Sequence, residues 1–178
     1  MNTNHMVQRA LGLAVCAVIV SGAGLAAAGL QISSTAFPAN GSIPAKYTCD
    51  GQGFNPPLTF GSIPTKTQSL VLIVDDPDVP KNVMPSGVFD HWLIWDLPAN
   101  SQGFAEGAGK GGVNGMGQQG FMGPCPPDRE HRYFFKLYAL DTKLTGAKIA
   151  NKKDLEAAMD GHIIERAELV GRYERSGR

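Results

Sequence analysis

Residues 123–135 read GPCPPDREHRYFF, a turn-forming half followed by an apolar half. Three prolines and a glycine in the first half predict a stiff loop, because a proline ring fixes φ and removes a backbone donor. The second half runs into residues 133–140 (YFFKLYAL), whose aromatic and apolar side chains are typical of a buried strand. Side chains alternate between the faces of a strand, so His131 and Tyr133 are predicted on one face and Arg132 on the other. A stiff loop beside an imidazole and a phenol can hold a polar ligand.

The composition favours one mainly β domain. The chain has 178 residues, with 16 basic and 16 acidic side chains, which suits a single domain with a hydrophobic core. Its 22 glycines and 12 prolines indicate a turn-rich β protein rather than a helical bundle. The neutral charge balance argues against nucleic acid as a partner, since proteins that bind it usually carry a basic patch.

The N-terminus has the three parts of a secretory signal. Arg9 supplies a positive charge, residues 10–20 are apolar, and small residues follow up to Ala28. We therefore predict a signal peptide over residues 1–28, an exported protein that is periplasmic or secreted, and no transmembrane segment in the mature chain, residues 29–178. A permanent anchor helix is an alternative, although the apolar run is shorter than the roughly 20 residues that span a bilayer. Lipidation at Cys16 is another, against which Val15 is a bulky neighbour.

Two cysteines remain after cleavage of the signal, Cys49 and Cys125. An oxidising compartment permits a disulfide between them. The sequence alone does not bring them within bridging distance, so both the bonded and the free state stay open.

Further segments continue the β pattern and add one helix. Strands are predicted at residues 30–35, 55–60, 69–74, 90–98 and 162–173, the second of them as a proline-led edge segment. Asn151 predicts the start of a helix over residues 152–160, which Gly161 ends. Residues 102–120 are glycine-dense without the spacing of a phosphate-binding P-loop, and they predict a long, ordered surface loop leading to Gly123.

Chemistry-bearing residues collect at the ends of predicted strands. Residues 75–80 (DDPDVP) follow an apolar strand, and such residues also form plain turns. His91 opens the next strand as His131 opens its own, and alternation predicts His91, Leu93 and Trp95 on one face. Histidines at strand ends are often structural, and the functional alternative requires Asp76 to face the same pocket as a histidine.

Several motifs together resemble the phosphatidylethanolamine-binding protein family. They are DPDVP at 76–80, HW at 91–92, GP at 123–124 and HRY at 131–133. NPPL at 55–58 and ELVGRY at 168–173 are similar to its bacterial, Raf kinase inhibitor-like branch. The resemblance runs from about residue 31 to residue 173. It implies a β-sandwich of two antiparallel sheets, with the short helix near the C-terminus and a small anion pocket at one end.

The resemblance also implies the residues that bind the ligand. The matching positions are Asp76, Asp78, His91, Gly123, Pro124, His131 and Tyr133. One departure is Arg129-Glu130, a bulky charged pair where family members often have a small residue, and it bears on the pocket rim.

The chemistry of these residues agrees with an anionic ligand. An oxyanion accepts hydrogen bonds, and imidazole N–H, phenol O–H and backbone N–H groups near Gly123 donate them. Asp76 is predicted to orient an imidazole and to favour its charged form. Histidine titrates near neutrality, so binding should depend on pH. The expected function is non-catalytic binding of phosphate, phosphate monoesters, a phospholipid headgroup or a carboxylate, with no cofactor.

Three alternatives remain. The chain is a protein-interaction or inhibitor module that acts on an exported or envelope partner. Or it is a hydrolase in which Cys125 and His131 form a thiolate–imidazole pair with Asp76 behind it. Or His91 and His131, with Asp76 or Asp78, form a two-histidine, one-carboxylate metal centre, although no dense ligand motif supports that.

Overall fold

The computed structural model describes residues 29–175 and Met1. Apart from Met1, the predicted signal peptide lies outside the described residues, and so do the alternatives of an anchor helix and of lipidation at Cys16. Within the described part of the chain, no helix combines the length and the apolar character needed to cross a bilayer.

The architecture is two antiparallel sheets with one short helix, which confirms the predicted fold class. The smaller sheet has the order β1-β2-β5, formed by Gln31–Ser33, Leu58–Gly61 and Gly103–Phe104. The larger sheet has the order β4-β3-β6-β7, formed by Phe89–Pro98, Ser69–Asp76, His131–Leu140 and Ile163–Tyr173. Helix α1 spans Lys152–Met159, and a 3-10 helix spans Ala45–Tyr47.

Strand β3 lies at the centre of the core because both of its faces are apolar. Leu70, Leu72 and Val74 pack in one buried cluster with Leu58 and Phe60 of the smaller sheet. Each such side chain contributes about 1.5–3 kcal/mol when it is fully buried. The continuous apolar run of β3, rather than an alternating one, is the consequence of cover on both faces.

Helix α1 covers the other face of the larger sheet. Its Leu155 and Met159 pack with Val71 and Ile73 of β3 in a second cluster. The side chain of Asn151 accepts a hydrogen bond from the Asp154 N–H at 3.0 Å, so the predicted helix start is confirmed.

The prediction of an edge strand at residues 55–60 is wrong. Strand β2 is the central strand of the smaller sheet, between β1 and β5. Pro56 and Pro57 precede the strand, so they remove no donor from its ladder.

The glycine-dense loop lies along β4, one of the two outer strands of the larger sheet. The N–H and carbonyl groups of Leu93 bond to those of Val113 at 2.7 and 2.9 Å, and Trp92 Nε1 donates to the Gly111 carbonyl at 2.7 Å. Gly112 has φ +75°, and a Cβ there would lie 2.2 Å from the Leu93 carbonyl oxygen. The loop therefore covers a sheet edge that would otherwise be open to pairing with another chain.

Candidate functional site

A cavity of about 440 Å³ lies where β3 ends and β4 begins. Asp76, His91 and the Gly123 backbone supply its polar lining, and the rest of the wall is mainly apolar, including Phe89 and Met122. Few polar groups within an apolar wall are typical of a site for a small ligand.

A larger hollow, about 500 Å³, lies along β6 and β7 and contains none of the predicted site residues. Its Lys136 already forms an ion pair with Asp75 at 2.8 Å. The smaller cavity is therefore the candidate site.

His91 reaches the cavity because β4 carries an irregularity. Val74 pairs with Trp92 and Asp75 pairs with Asp90, so His91 is an extra residue in the ladder. Such a bulge turns a side chain away from the face that simple alternation assigns to it.

The predicted common face of His91, Leu93 and Trp95 is therefore wrong for His91. The His91 ring lies edge-on to Phe89, with centroids 4.8 Å apart, and to Tyr133, with centroids 5.2 Å apart. Leu93 and Trp95 pack instead in the cluster beneath α1.

The imidazole of His91 has one engaged and one open nitrogen. Its Nδ1 lies 2.7 Å from the Met122 carbonyl oxygen, which can only accept, so Nδ1 carries a proton. Nε2 has no hydrogen-bond partner among residues 29–175, and the residue lines the cavity at 4% exposure. Burial lowers the pKa of His91 below its usual range, which favours the neutral ring with a lone pair on Nε2.

The imidazole of His131, in contrast, has both nitrogens engaged. Nδ1 lies 2.7 Å from Asp76 Oδ2, and Nε2 lies 2.8 Å from Asp128 Oδ1. Ionised carboxylates only accept hydrogen bonds, so this geometry holds His131 as an imidazolium. The side chain is fully buried and lies behind the wall of the cavity rather than on it.

Asp76 contacts an imidazole, as predicted for a carboxylate that orients a histidine ring. One of its carboxylate oxygens contacts His131, and the other accepts from the Asp78 N–H at 2.8 Å. The Tyr133 hydroxyl is buried without a well-formed hydrogen bond. Burial, with a contribution from nearby Asp76, raises the pKa of Tyr133 far above its usual range, so it stays protonated.

Asp78 and Arg132 form an ion pair outside the cavity. The Asp78 carboxylate accepts from Arg132 Nε at 2.8 Å and from the terminal nitrogen at 2.7 Å. The guanidinium lowers the pKa of Asp78 to about 2. This pair ties the turn after β3 to the start of β6, and the assignment of Asp78 as a ligand-binding residue remains a prediction.

The Gly-Pro segment is fixed closely against the 3-10 helix. A Cβ at Gly123 would lie 2.7 Å from the Tyr47 carbonyl oxygen, so only glycine allows this approach. The Pro124 carbonyl accepts from the Cys49 N–H at 3.0 Å, and a disulfide joins Cys49 to Cys125 with 5.3 Å between the Cα atoms. The Gly123 N–H makes no hydrogen bond in the described chain. Pro124 bonds to Cys49 without lining the cavity, so its ligand-binding role stays a prediction.

Of the seven predicted residues, the structure brings Asp76, His91 and Gly123 onto the cavity wall. His131 and Tyr133 lie directly behind it, and their ligand-binding role stays a prediction.

Sequence reasoning missed Asp128, although it belongs to the GPCPPDREH segment. Its position three residues before His131 was the available signal, but the turn geometry that brings the two side chains together could not be predicted from the sequence.

The alternative of a thiolate–imidazole pair between Cys125 and His131 has no free thiol, since Cys125 is in the disulfide. Across residues 29–175, no three His, Cys, Asp or Glu side chains are grouped so as to hold a metal ion.

Comparison with known proteins places the chain among relatives of the same fold. Residues 33–174 match the family model described as phosphatidylethanolamine-binding protein. A UPF0098 protein of Chlamydia pneumoniae is 47% identical over 150 residues, which cover 83% of this chain and 100% of that protein. A UPF0098 protein of Methanothermobacter thermautotrophicus is 43% identical over 155 residues, covering 82% of this chain and 99% of the relative.

Two solved structures extend the comparison. A phosphatidylethanolamine-binding protein homologue from Chlamydia trachomatis superposes with a TM-score of 0.79 at 46% identity, covering 83% of this chain and 99% of its own. Escherichia coli YbcL, described as a member of the mammalian family, superposes with a TM-score of 0.73 at 27% identity, covering 84% of this chain and 100% of its own. The bacterial relatives agree with the predicted branch. The chain therefore belongs to the phosphatidylethanolamine-binding protein family, whose domain is in general a ligand-binding one.

Proposed function

We propose that the cavity binds small anionic groups, namely phosphate, phosphate monoesters or a phospholipid headgroup, without catalysing a reaction. The observation that carries the proposal is the open Nε2 of His91 beside the unpaired Gly123 N–H on one cavity wall. Backbone N–H groups and a charged imidazole are donors that an oxyanion requires.

The proposal requires His91 to take up a proton when the anion binds. Its Nδ1–H already donates to the Met122 carbonyl, so Nε2 donates only in the imidazolium form. The bound anion supplies the opposite charge that compensates for burial of this cation. Binding and protonation of His91 are thus coupled.

The surroundings of these two donors also support an anion. The negative charge of Asp76 is compensated by the His131 imidazolium at 2.7 Å. The apolar wall excludes water and lowers the local dielectric, which strengthens each hydrogen bond to a charged ligand. Val79 and Phe89 belong to this wall.

Two observations support binding without catalysis. The Cys125 sulfur is bonded to Cys49 and is not available as a nucleophile. Both nitrogens of His131 are engaged by carboxylates, so this ring has no free position at which to accept a proton. We further propose export of the protein, which agrees with the disulfide, because such bonds persist in oxidising compartments.

Calorimetric titration of the purified protein with inorganic phosphate and with phosphoethanolamine tests the proposal. We expect saturable binding that His91→Ala weakens about tenfold or more, since it removes a charge-assisted hydrogen bond. His162→Ala is the matched control, because His162 is an exposed histidine that pairs with Asp141 at 2.9 Å. Binding that both variants leave equally intact contradicts the proposal.

One observation favours the second candidate, a protein-interaction or inhibitor module. Val83 and Met116 at the cavity rim are 58% and 63% exposed, and an apolar rim is a surface that partners bury. A photo-crosslinker at position 83 tests it in cells, with position 153 as control. A defined adduct at 83 alone supports this function, and equal labelling at both positions opposes it.

A further inference from the structure

Asp128 covers the Nε2 face of His131 with a carboxylate that is only loosely held elsewhere. The Asp128 side chain is 44% exposed, whereas the imidazole that it contacts at 2.8 Å is 0% exposed. Its other oxygen lies 3.9 Å from Arg129 Nε, in an exposed pair of little strength. The carboxylate also accepts a hydrogen bond from the Arg129 backbone N–H, and the contact with His131 is the main one that fixes this side chain.

The carboxylate oxygen of Asp128 presents to His131 the same acceptor that an oxygen of phosphate presents. On the far side of the ring, Asp76 holds Nδ1 at 2.7 Å, so the ring keeps its orientation if Asp128 departs. Nε2–H then becomes an unpaired, charged donor. Two neighbours of this pair line the cavity, namely Asp76, which holds the ring, and Pro127, which directly precedes Asp128.

We propose that Asp128 is a built-in competitor of the anionic ligand: its carboxylate occupies on His131 Nε2 the position that an oxygen of a phosphate group takes when it binds. This inference rests on the proposed function. It makes Asp128 a specificity-determining residue, because a ligand must supply enough further hydrogen bonds to displace it. A phosphate monoester has three free oxygens, for His131, His91 and Gly123, whereas a carboxylate has two.

Phosphate titration of Asp128→Ala tests the proposal. Removal of the competing acceptor is expected to tighten phosphate binding about tenfold, the scale of one charge-assisted hydrogen bond. Glu130→Gln is the matched control. Glu130 belongs to the same loop and carries the same charge, but it pairs with Arg172 at 3.0 Å and not with His131. We expect less than about a twofold change in that variant, as for an exposed ion pair.

Two results overturn the proposal. Equal tightening in Asp128→Ala and Glu130→Gln means that only the loss of negative charge matters. Weaker binding in Asp128→Ala means that Asp128 supports the site. Failure of the proposed function is a separate result, since it appears as wild-type binding that His91→Ala leaves unchanged.

NMR of the histidine ring nitrogens supplies a readout that does not depend on affinity. In the wild type without phosphate, the His131 Nε2–H signal should be present and protected from exchange by Asp128. In Asp128→Ala, it should exchange rapidly and regain protection when phosphate is added. A signal in Asp128→Ala that phosphate does not affect overturns the proposal.

Discussion

The two histidines at the cavity have different roles although their sequence contexts are alike. Each was predicted to open a strand after a turn, so residue types alone predicted the same donor role for both, although β4 begins at Phe89, two residues before His91. The difference arises from neighbours that are distant in sequence. His91 bonds to the Met122 carbonyl through one nitrogen, whereas His131 is held between Asp76 and Asp128. The pairing of Asp76 with an imidazole was predictable from charge, but which histidine it would meet was not.

The protonation of His91 leads to a prediction on pH. Burial lowers the pKa of His91 in the free protein, and a bound anion raises it. Affinity should therefore increase as pH falls from about 8 to 5, and level off below the pKa of the free protein. Calorimetry with sulfate measures this, because the charge of sulfate is constant over that range. His91→Gln should bind with a flat profile, and a flat profile in the wild type contradicts proton-coupled binding.

The ion pair of Asp78 with Arg132 leads to a prediction on acid stability. Arg132 lowers the pKa of Asp78 to about 2, against about 3.9 in an unfolded chain. The pair therefore stabilises the fold above about pH 4 and loses this contribution as pH falls toward 2. Asp78→Asn should lower the free energy of unfolding by about 1 kcal/mol at pH 7, a value reduced for solvent screening at Arg132.

Urea unfolding at pH 7 and near pH 2.5 checks this difference. The difference between the two proteins should be much smaller at the lower pH, because the contribution is lost as pH falls through the native pKa of Asp78. Glu174→Gln, an exposed charge for which the structure shows no partner, serves as control and should match the wild type at both. A gap for Asp78→Asn that stays constant with pH would point to lost packing instead of lost charge.

At the scale of elements, alternation and apolar runs predicted where the strands and the helix lie in the sequence. They predicted less well which strands pair with one another. Strand β3 and helix α1 begin at the predicted residues, since a continuous apolar run and a capping asparagine are local signals. The bulge at His91 was not predictable, because it exists only in the pairing of β4 with β3. The position of β2 in the middle of its sheet likewise depends on β5, two residues within the glycine-dense loop.

Two glycines of that loop allow a test of its packing on β4. Gly112 and Gly117 have φ +75° and +73°, but only a Cβ at Gly112 meets another atom within 4 Å. Gly117→Ala should cost about 1 kcal/mol of stability from backbone strain alone. Gly112→Ala should cost about 2–4 kcal/mol, because the loop must also move off the Leu93 carbonyl. Chemical denaturation of both variants measures this, and equal losses would show that the loop is not pressed against the strand.

At the scale of the whole molecule, one covalent bond joins a cavity-lining segment to a distant part of the chain. Cys49 and Cys125 are 76 residues apart in sequence, and the bond holds the Gly123 segment against the 3-10 helix. The sequence left this pairing open because proximity is a product of the complete fold. The resemblance to the family nevertheless predicted the two-sheet architecture correctly, because the matching motifs are spread over the entire domain.

Removal of this disulfide should destabilise the protein strongly. In the chain-entropy account, opening a loop of 76 residues costs about 4 kcal/mol. We use Cys49→Ser with Cys125→Ser, which leaves no free thiol of the pair, and expect a lower urea midpoint. Phosphate affinity measured on the folded variant reports whether the cavity wall also loosens. An unchanged midpoint would mean that the bond adds nothing to a wall already held by noncovalent contacts.

The strand order of the larger sheet has a consequence for the nascent chain. Strand β3 ends at Asp76, but its second neighbour, β6, begins only at His131. A ribosome delivers the N-terminal part first, so β3 and β4 emerge as an uncovered hairpin while the rest is still being translated. The core is complete only after residue 173 has left the exit tunnel, because Leu169 and Tyr173 of β7 belong to it. Chaperones therefore have most of the elongation time in which to engage an unfolded chain.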